Sequence, residues 1–175
     1  MPPEADCRRC RLGEARTNIV LPCGNPGSKV ALVGEAPGAQ EDLRGIPFVG
    51  KAGKILDGLM AEAGLEREKV TITNTVKCRP PGNRRPKADE MAACRPFLQE
   101  ELRGKQLVLA LGLSAAEDLL GKKMVMKDVC NRPVYADLGD GQITIMVTYH
   151  PSACIYRPAA KEVLRDALKI AASYL

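Results

Sequence analysis

The chain has 175 residues, enough for one domain with a sizeable core, and its 45% apolar and 27% charged residues are typical of a globular protein. No apolar run is long enough to span a bilayer and no apolar signal core follows Met1, so we expect no membrane span and a cytoplasmic, nucleoid-associated protein. The net charge of +5 is compatible with nucleic-acid binding but does not establish it.

Short apolar runs predict strands, and apolar residues at three- and four-residue spacing predict helices. In chain order, these are a strand at 29–33, a helix from 51 that ends at Gly64, a strand at 70–73, a helix at 88–102 disturbed at Pro96, a strand at 106–111, a helix through 120 with Ser114 as N-cap, a hairpin of 134–136 and 143–147, and a helix at 160–171. The alternation predicts one α/β domain over residues 1–175, a three-layer α/β/α sandwich with a central, mostly parallel four-stranded sheet.

Polar residues follow the predicted strands directly. Glu35 lies in a Gly-rich turn after the first strand, Asn74 follows the second, Ser114 follows the third, and His150 follows the last. In open α/β sheets ligands bind outside the carboxyl ends of the strands, so these four residues should face one crevice. His150 is the only histidine of the chain, and its position at this edge favours a functional role over a purely structural one.

Seven cysteines are many for this length, and their odd number with no export signal argues against a disulfide framework. Cys7 and Cys10 form a CxxC pair, whereas Cys78 and Cys94 flank a basic, Pro- and Gly-rich segment. Four thiolates can bind zinc or a 4Fe–4S cluster, and the spacing alone does not choose between them. Either centre would hold the first ~25 residues, which look irregular, against the rest of the domain.

Three longer motifs resemble a known family. GEAPGAQED (34–42) followed by GIPFVGKAG (45–53), then TNTVKCRPP (73–81), and finally HPS (150–152) resemble, in this order, the motifs of family 4 uracil-DNA glycosylases. HPS departs from the HPA of many members. The resemblance implies an α/β/α enzyme that removes uracil from single- and double-stranded DNA. It also implies a structural 4Fe–4S cluster on Cys7, Cys10, Cys78 and Cys94, with zinc as the less favoured occupant.

The resemblance assigns a set of residues to the flipped uracil: Ala36, Gly38, Glu41, Phe48, Asn74 and His150. Phe48 would stack on the base, and Glu41 would stand beside C5 and block the methyl group of thymine. The carboxamide of Asn74 can donate to O4 and accept from N3–H, a pattern that cytosine reverses.

Hydrolysis of the N-glycosidic bond requires a hydrogen-bond donor to the departing uracil and a carboxylate near the sugar. His150 is the candidate for the donor, and Glu35 is the first choice for the carboxylate that positions water, with Asp42 as the second. A related branch traps the abasic sugar through an additional histidine, which this chain lacks, so we expect turnover instead.

DNA contacts are expected from the basic segment and from the segment around the third motif. The candidates are Arg79, Asn83, Arg84, Arg85, Ser152, Ile155, Tyr156 and Arg157. Either Ile155 or Tyr156 could fill the gap in the duplex when the base is flipped, and the protein is expected to act as a monomer.

Two other functions fit part of the pattern. A non-enzymatic, cluster-stabilised nucleic-acid-binding module explains the cysteines and the basic segment but leaves Glu35, Asn74 and His150 without a role. A nucleotide-binding metabolic enzyme could use the turn after the first strand as a phosphate cradle, but this turn has neither a GxGxxG pattern nor a P-loop lysine.

Overall fold

A single six-stranded sheet forms the centre of the computed structural model, which describes residues 1–175. The strands are β1 (Cys23–Gly24), β2 (Val30–Gly34), β3 (Thr71–Asn74), β4 (Leu107–Leu111), β5 (Pro133–Asp137) and β6 (Gln142–Thr148). The spatial order is β1-β3-β2-β4-β6-β5, in which the four inner strands are parallel and the two edge strands are antiparallel.

The predicted mostly parallel sheet is confirmed, but its count of four strands is too low by two. The four inner strands are the parallel core, and the predicted hairpin adds β5 as an antiparallel edge. The other edge, β1, has only two residues and therefore carries no periodicity that a sequence pattern could reveal.

Seven helices surround the sheet. They are α1 (Leu12–Ala15), α2 (Ala39–Arg44), α3 (Lys51–Glu62), α4 (Ala88–Leu102), α5 (Leu113–Leu120), α6 (Met126–Val129) and α7 (Pro158–Ala172). Helix α4 continues through Pro96, contrary to the expected disturbance. The N-cap of α5 is Gly112 and not Ser114, because the chain turns at a φ of +96° one residue before the helix begins. No helix combines the length and apolar character needed to cross a lipid bilayer.

The three predicted layers are visible in the alternation of side chains along the strands. Val30 and Leu32 point to one face of the sheet, where they pack against α3 and α7. Ala31 and Val33 point to the other face and pack against α4 and α5. Burial of both faces explains why the inner strands are continuous apolar runs.

The N-terminal segment packs beside the sheet around a third, smaller apolar cluster. Leu12 is buried there together with Val76 and Phe97. The guanidinium of Arg16 donates to the carbonyl oxygens of Cys7 at 2.8 Å and Ala5 at 2.7 Å, which ties this segment to itself. The segment is thus more ordered than the sequence suggests.

Candidate functional site

A cleft of about 530 Å³ opens at the carboxyl ends of β2, β3, β4 and β6. Its walls come from stretches that are far apart in sequence: Glu35, Ala36, Pro37, Gly38, Glu41, Phe48, Ala52, Asn74, Pro80, Asn83, Arg84, Leu111, Gly112, Leu113, Ser114, His150 and Ser152. The four residues predicted to share one crevice therefore do so.

Glu35 is placed by the backbone that follows β2. Its carbonyl oxygen accepts hydrogen bonds from the hydroxyl of Thr75 at 2.7 Å and from the backbone N–H of Val76 at 3.3 Å. The side chain is half-buried and lines the cleft, and no protein group donates a hydrogen bond to its carboxylate. The carboxylate is therefore free to accept a hydrogen bond from water or from a ligand.

Phe48 has a backbone conformation that is unusual for its residue type. Its φ of +53° lies in the left-handed region, which a bulky side chain rarely adopts. The ring is buried in the wall of the cleft, and a Cβ on Gly34 would come within 2.5 Å of it. Glycine at position 34 thus allows the ring to lie directly against β2, and such strain is often found at functional sites.

Asn74 ends β3 and lines the cleft, where its carboxamide has no hydrogen-bond partner in the protein. Its backbone carbonyl oxygen, by contrast, accepts a hydrogen bond at 2.5 Å from the ammonium group of Lys77. This ammonium is fully buried and also contacts Thr73 Oγ1 and Glu101 Oε2, both at 2.7 Å. A buried, paired charge therefore holds the backbone of Asn74 while its side chain stays available for a ligand.

His150 lies between Phe48 and Ser152. The backbone N–H of Ser152 donates to Nδ1 at 3.1 Å and its hydroxyl lies 2.7 Å from the same nitrogen, so Nδ1 is an acceptor and the ring proton is on Nε2. Burial lowers the pKa of His150 to about 4, against a small opposing effect of Glu41. The imidazole is therefore neutral at physiological pH and can still donate from Nε2.

Glu41 lines the cleft, but backbone groups engage both of its carboxylate oxygens. Oε2 accepts from the N–H of Gly38 at 3.1 Å, and Oε1 accepts from those of Val49 at 2.9 Å and Gly50 at 2.8 Å. One side chain thus fixes the turn before α2 and the loop that carries Phe48. Its expected action against the thymine methyl group stays a prediction.

Comparison with known proteins agrees with this arrangement. Residues 21–171 match the model of the uracil DNA glycosylase superfamily. The chain belongs to this superfamily. It is also 41% identical over 166 residues to a type-4 uracil-DNA glycosylase of Thermotoga maritima, which covers 93% of this chain and 84% of that protein.

Archaeal relatives give the same result. Identity is 40% to the type-4 uracil-DNA glycosylase of Saccharolobus solfataricus, over 91% of this chain and 77% of the relative. It is 38% to that of Archaeoglobus fulgidus, over 89% of this chain and 81% of the relative.

In this superfamily member the four expected ligand cysteines line one small cavity under the N-terminal segment: Cys7, Cys10, Cys78 and Cys94. None of the seven cysteines forms a disulfide, and Arg16 Nη1 lies 3.5 Å from the sulfur of Cys78. Burial raises the pKa of Cys78 and raises that of Cys94 to about 11. No group of three or more potential ligands has a ready metal-binding arrangement.

The expected DNA-contacting residues fall into different settings. Asn83, Arg84 and Ser152 line the cleft, whereas the other five lie outside it. Tyr156 is 84% exposed and Ile155 is partly buried, so Tyr156 is the more accessible of the two candidates for filling the gap in a duplex.

Two of the expected phosphate contacts are engaged in ion pairs. Arg84 binds both carboxylate oxygens of the buried Glu90, at 2.8 and 2.7 Å, and Arg85 binds Glu117 at 2.8 Å. A guanidinium that is held in this way has fewer free N–H donors for a phosphate. The number of arginines in this segment therefore overestimates how many can bind DNA phosphates. Arg79 is only engaged with Asn83, at 2.7 Å.

Asp42, the second choice for the catalytic carboxylate, does not line the cleft. Its side chain is buried, and Oδ1 accepts from the backbone N–H of Thr17 at 2.9 Å and of Asn18 at 3.3 Å. It therefore attaches the N-terminal segment to α2, and of the two candidates for the catalytic carboxylate only Glu35 lines the cleft.

Two residues with a place in the site were not predicted to have one. Lys77 holds Asn74, and Arg67 contacts the backbone of the Phe48 loop. Ser114, which was expected at this edge, presents a buried hydroxyl with no partner to the cleft. Lys77 lies within the second motif but has no recognisable pattern of its own. Arg67 is 19 residues from Phe48, so no local signal could connect them.

We predict that Asp42→Ala destabilises the protein but leaves its catalytic rate nearly unchanged. The substitution leaves two backbone N–H groups without their acceptor, which should cost about 1–3 kcal/mol of unfolding free energy. Thermal unfolding and the single-turnover rate, measured well below the melting temperature, would separate the two effects. A large fall in the rate of the folded variant would return Asp42 to the catalytic residues.

Proposed function

We propose that this chain is a uracil-DNA glycosylase, which flips uracil out of single- or double-stranded DNA and hydrolyses the N-glycosidic bond to leave an abasic site for base excision repair. One observation carries the proposal. In a chain of the uracil DNA glycosylase superfamily, an unengaged carboxamide, a neutral imidazole, an aromatic ring and a free carboxylate share a single cleft.

Recognition of the base would rest on Phe48 and Asn74. Stacking on an aromatic face contributes roughly 1–3 kcal/mol per base, and the ring of Phe48 is already fixed in the wall of the cleft. The free carboxamide of Asn74 can pair with O4 and N3–H of uracil, and cytosine would leave both groups mispaired. Ala36 and Gly38, which also line the cleft, have no bulky side chains and allow the base to lie close to their backbone.

Bond cleavage leaves negative charge on the uracil ring, chiefly at O2. The Nε2–H of His150 is the donor available to this oxygen, and the hydrogen bond to Ser152 fixes the tautomer before the substrate arrives. Preorganised donors of this kind are typically worth ~10²–10³ in rate. A neutral donor serves this purpose without transferring its proton.

The sugar becomes cation-like as the base leaves, and the carboxylate of Glu35 can assist this step in two ways. It can stabilise this positive charge and accept a hydrogen bond from the attacking water, which adds to the sugar.

The side chains best placed to hold the DNA are those of Arg79, Asn83, Arg157 and Tyr156, because Arg84 and Arg85 are already engaged in ion pairs. All of these groups belong to one chain, so a monomer suffices.

We also propose that Cys7, Cys10, Cys78 and Cys94 hold a 4Fe–4S cluster. Four free thiols line one cavity with no histidine, which suits a soft-metal centre, and Arg16 can offset the negative charge of the bound thiolates. When bound, the cluster supplies structural support, which would make residues 1–175 a single domain with its first ~25 residues held in place.

The decisive experiment is incubation with a uracil-containing oligonucleotide followed by alkali. We expect strand cleavage at uracil and none at cytosine or thymine. The variants His150→Ala and Glu35→Gln should each lose about 10²-fold or more in single-turnover rate while they remain folded, because each removes a group that acts on charge in the transition state. DNA binding without cleavage by the unaltered protein would favour the non-enzymatic module instead.

The pH dependence of the single-turnover rate tests the protonation state of His150. A pKa of about 4 means that the imidazole is already neutral well below pH 6.5, so the rate should show no inflection near the ordinary histidine value. Only as the pH falls towards 4 should Nδ1 gain a proton and lose the hydrogen bond from Ser152 that orients the Nε2–H donor, so any change in rate due to His150 is expected there. An inflection near pH 6.5 that disappears in His150→Gln would contradict this interpretation.

Metal analysis of the anaerobically purified protein tests the cluster. We expect about four iron and four sulfide per chain and a brown colour, and we expect Cys94→Ser to lower both the iron content and the melting temperature. Cys130→Ser is the matched control, because Cys130 lies outside the cavity. Colourless protein with one zinc per chain would contradict the cluster and leave a zinc site on the same four cysteines.

A further inference from the structure

The strained conformation of Phe48 requires an external restraint. A left-handed φ of +53° is unfavourable for a phenylalanine by itself, and the loop that contains it, residues 45–50 between α2 and α3, has no regular structure. The ring itself is packed in the main apolar cluster, so a restraint on this backbone also sets the orientation in which the ring meets the cleft.

Arg67 provides such a restraint from the side away from the cleft. Its Nη1 donates to the carbonyl oxygen of Pro47 at 3.0 Å, and its Nη2 donates to that of Phe48. Its Nε donates to Asp57 Oδ1 at 2.6 Å, which orients the guanidinium plane towards the loop. The rigid, planar fork of arginine can bind two successive carbonyl oxygens together, which an ammonium group cannot do in the same geometry.

The loop is also held from the opposite side. Glu41 accepts the N–H groups of Val49 and Gly50, so an anion binds the donors of the loop while the cation of Arg67 binds its acceptors. Gly53 completes the restraint, since a Cβ at that position would come within 1.9 Å of the Phe48 carbonyl oxygen. This carbonyl therefore has little room for movement.

We infer that Arg67 is the positioning residue that holds Phe48 in its stacking orientation. Arg67 does not line the cleft, so its effect on a bound base passes through the Pro47 and Phe48 backbone. The inference rests on the proposed function in so far as Phe48 stacks on uracil, but the restraint itself is a property of the free protein and can be measured without a substrate.

The variants Arg67→Gln and Arg67→Lys test the inference, with Arg165→Gln as the matched control. Arg165 is about as buried as Arg67 and also forms ion pairs, with Glu62 and Glu162, but it makes no hydrogen bond to the Phe48 loop. We expect single-turnover excision to fall about 10- to 100-fold in Arg67→Gln and less in Arg67→Lys, with an unchanged rate in Arg165→Gln. Inhibition by free uracil should weaken in parallel, whereas affinity for abasic DNA should not change.

The chain contains only two phenylalanines, which permits a direct measurement of the ring. Protein labelled with 4-fluorophenylalanine should give two ¹⁹F resonances, and Phe97→Leu would identify the signal of Phe48. We expect Arg67→Gln to shift or broaden the Phe48 resonance and leave that of Phe97 unchanged. Arg165→Gln should alter neither.

Each outcome decides the inference. An unchanged Phe48 resonance in Arg67→Gln overturns it, whatever happens to the rate, and so does wild-type excision by this variant. If both resonances change, Arg67→Lys decides: a change at Phe48 alone supports the inference, and a change at both signals overturns it in favour of a general structural role. If the unaltered protein does not excise uracil, the proposed function fails, while the ¹⁹F comparison still decides whether Arg67 restrains Phe48.

Discussion

The parallel arrangement of β2, β3, β4 and β6 is the constraint on which the site depends. Parallel strands end at the same edge of a sheet, so the residues that follow them meet even when they are far apart in sequence. Glu35, Asn74 and His150 come together for this reason alone. The antiparallel edge strands add no residue to the cleft, so the expected strand count, which was too low, did not affect the site.

A second level of organisation lies in side chains that bind backbone rather than ligand. Glu41 and Arg67 restrain the Phe48 loop, and Lys77 holds the backbone of Asn74. Such groups are buried or partly buried charges, and their desolvation is offset only because each one has several partners. They keep the ring and the carboxamide in place before a base arrives, so less ordering is needed on binding.

The number of basic residues between Cys78 and Cys94 overstates how many side chains of this segment are free to contact DNA. Arg84 and Arg85 lie next to each other, yet each is directed to a carboxylate on a different helix, Glu90 on α4 and Glu117 on α5. These pairs connect the segment to the body of the protein. The electrostatic attraction for DNA is therefore carried by fewer side chains than the sequence count implies.

The sequence by itself determined the α/β class, the parallel core and the edge at which Glu35, Asn74 and His150 meet, because apolar periodicity and strand ends are local properties of the chain. Only the tertiary structure decided that Asp42 lies outside the cleft, that Glu41 binds backbone N–H groups and that burial lowers the pKa of His150. Each of these depends on distances and burial across segments, and the same amino acid can therefore serve as a catalytic, capping or paired residue according to the neighbours that the fold supplies.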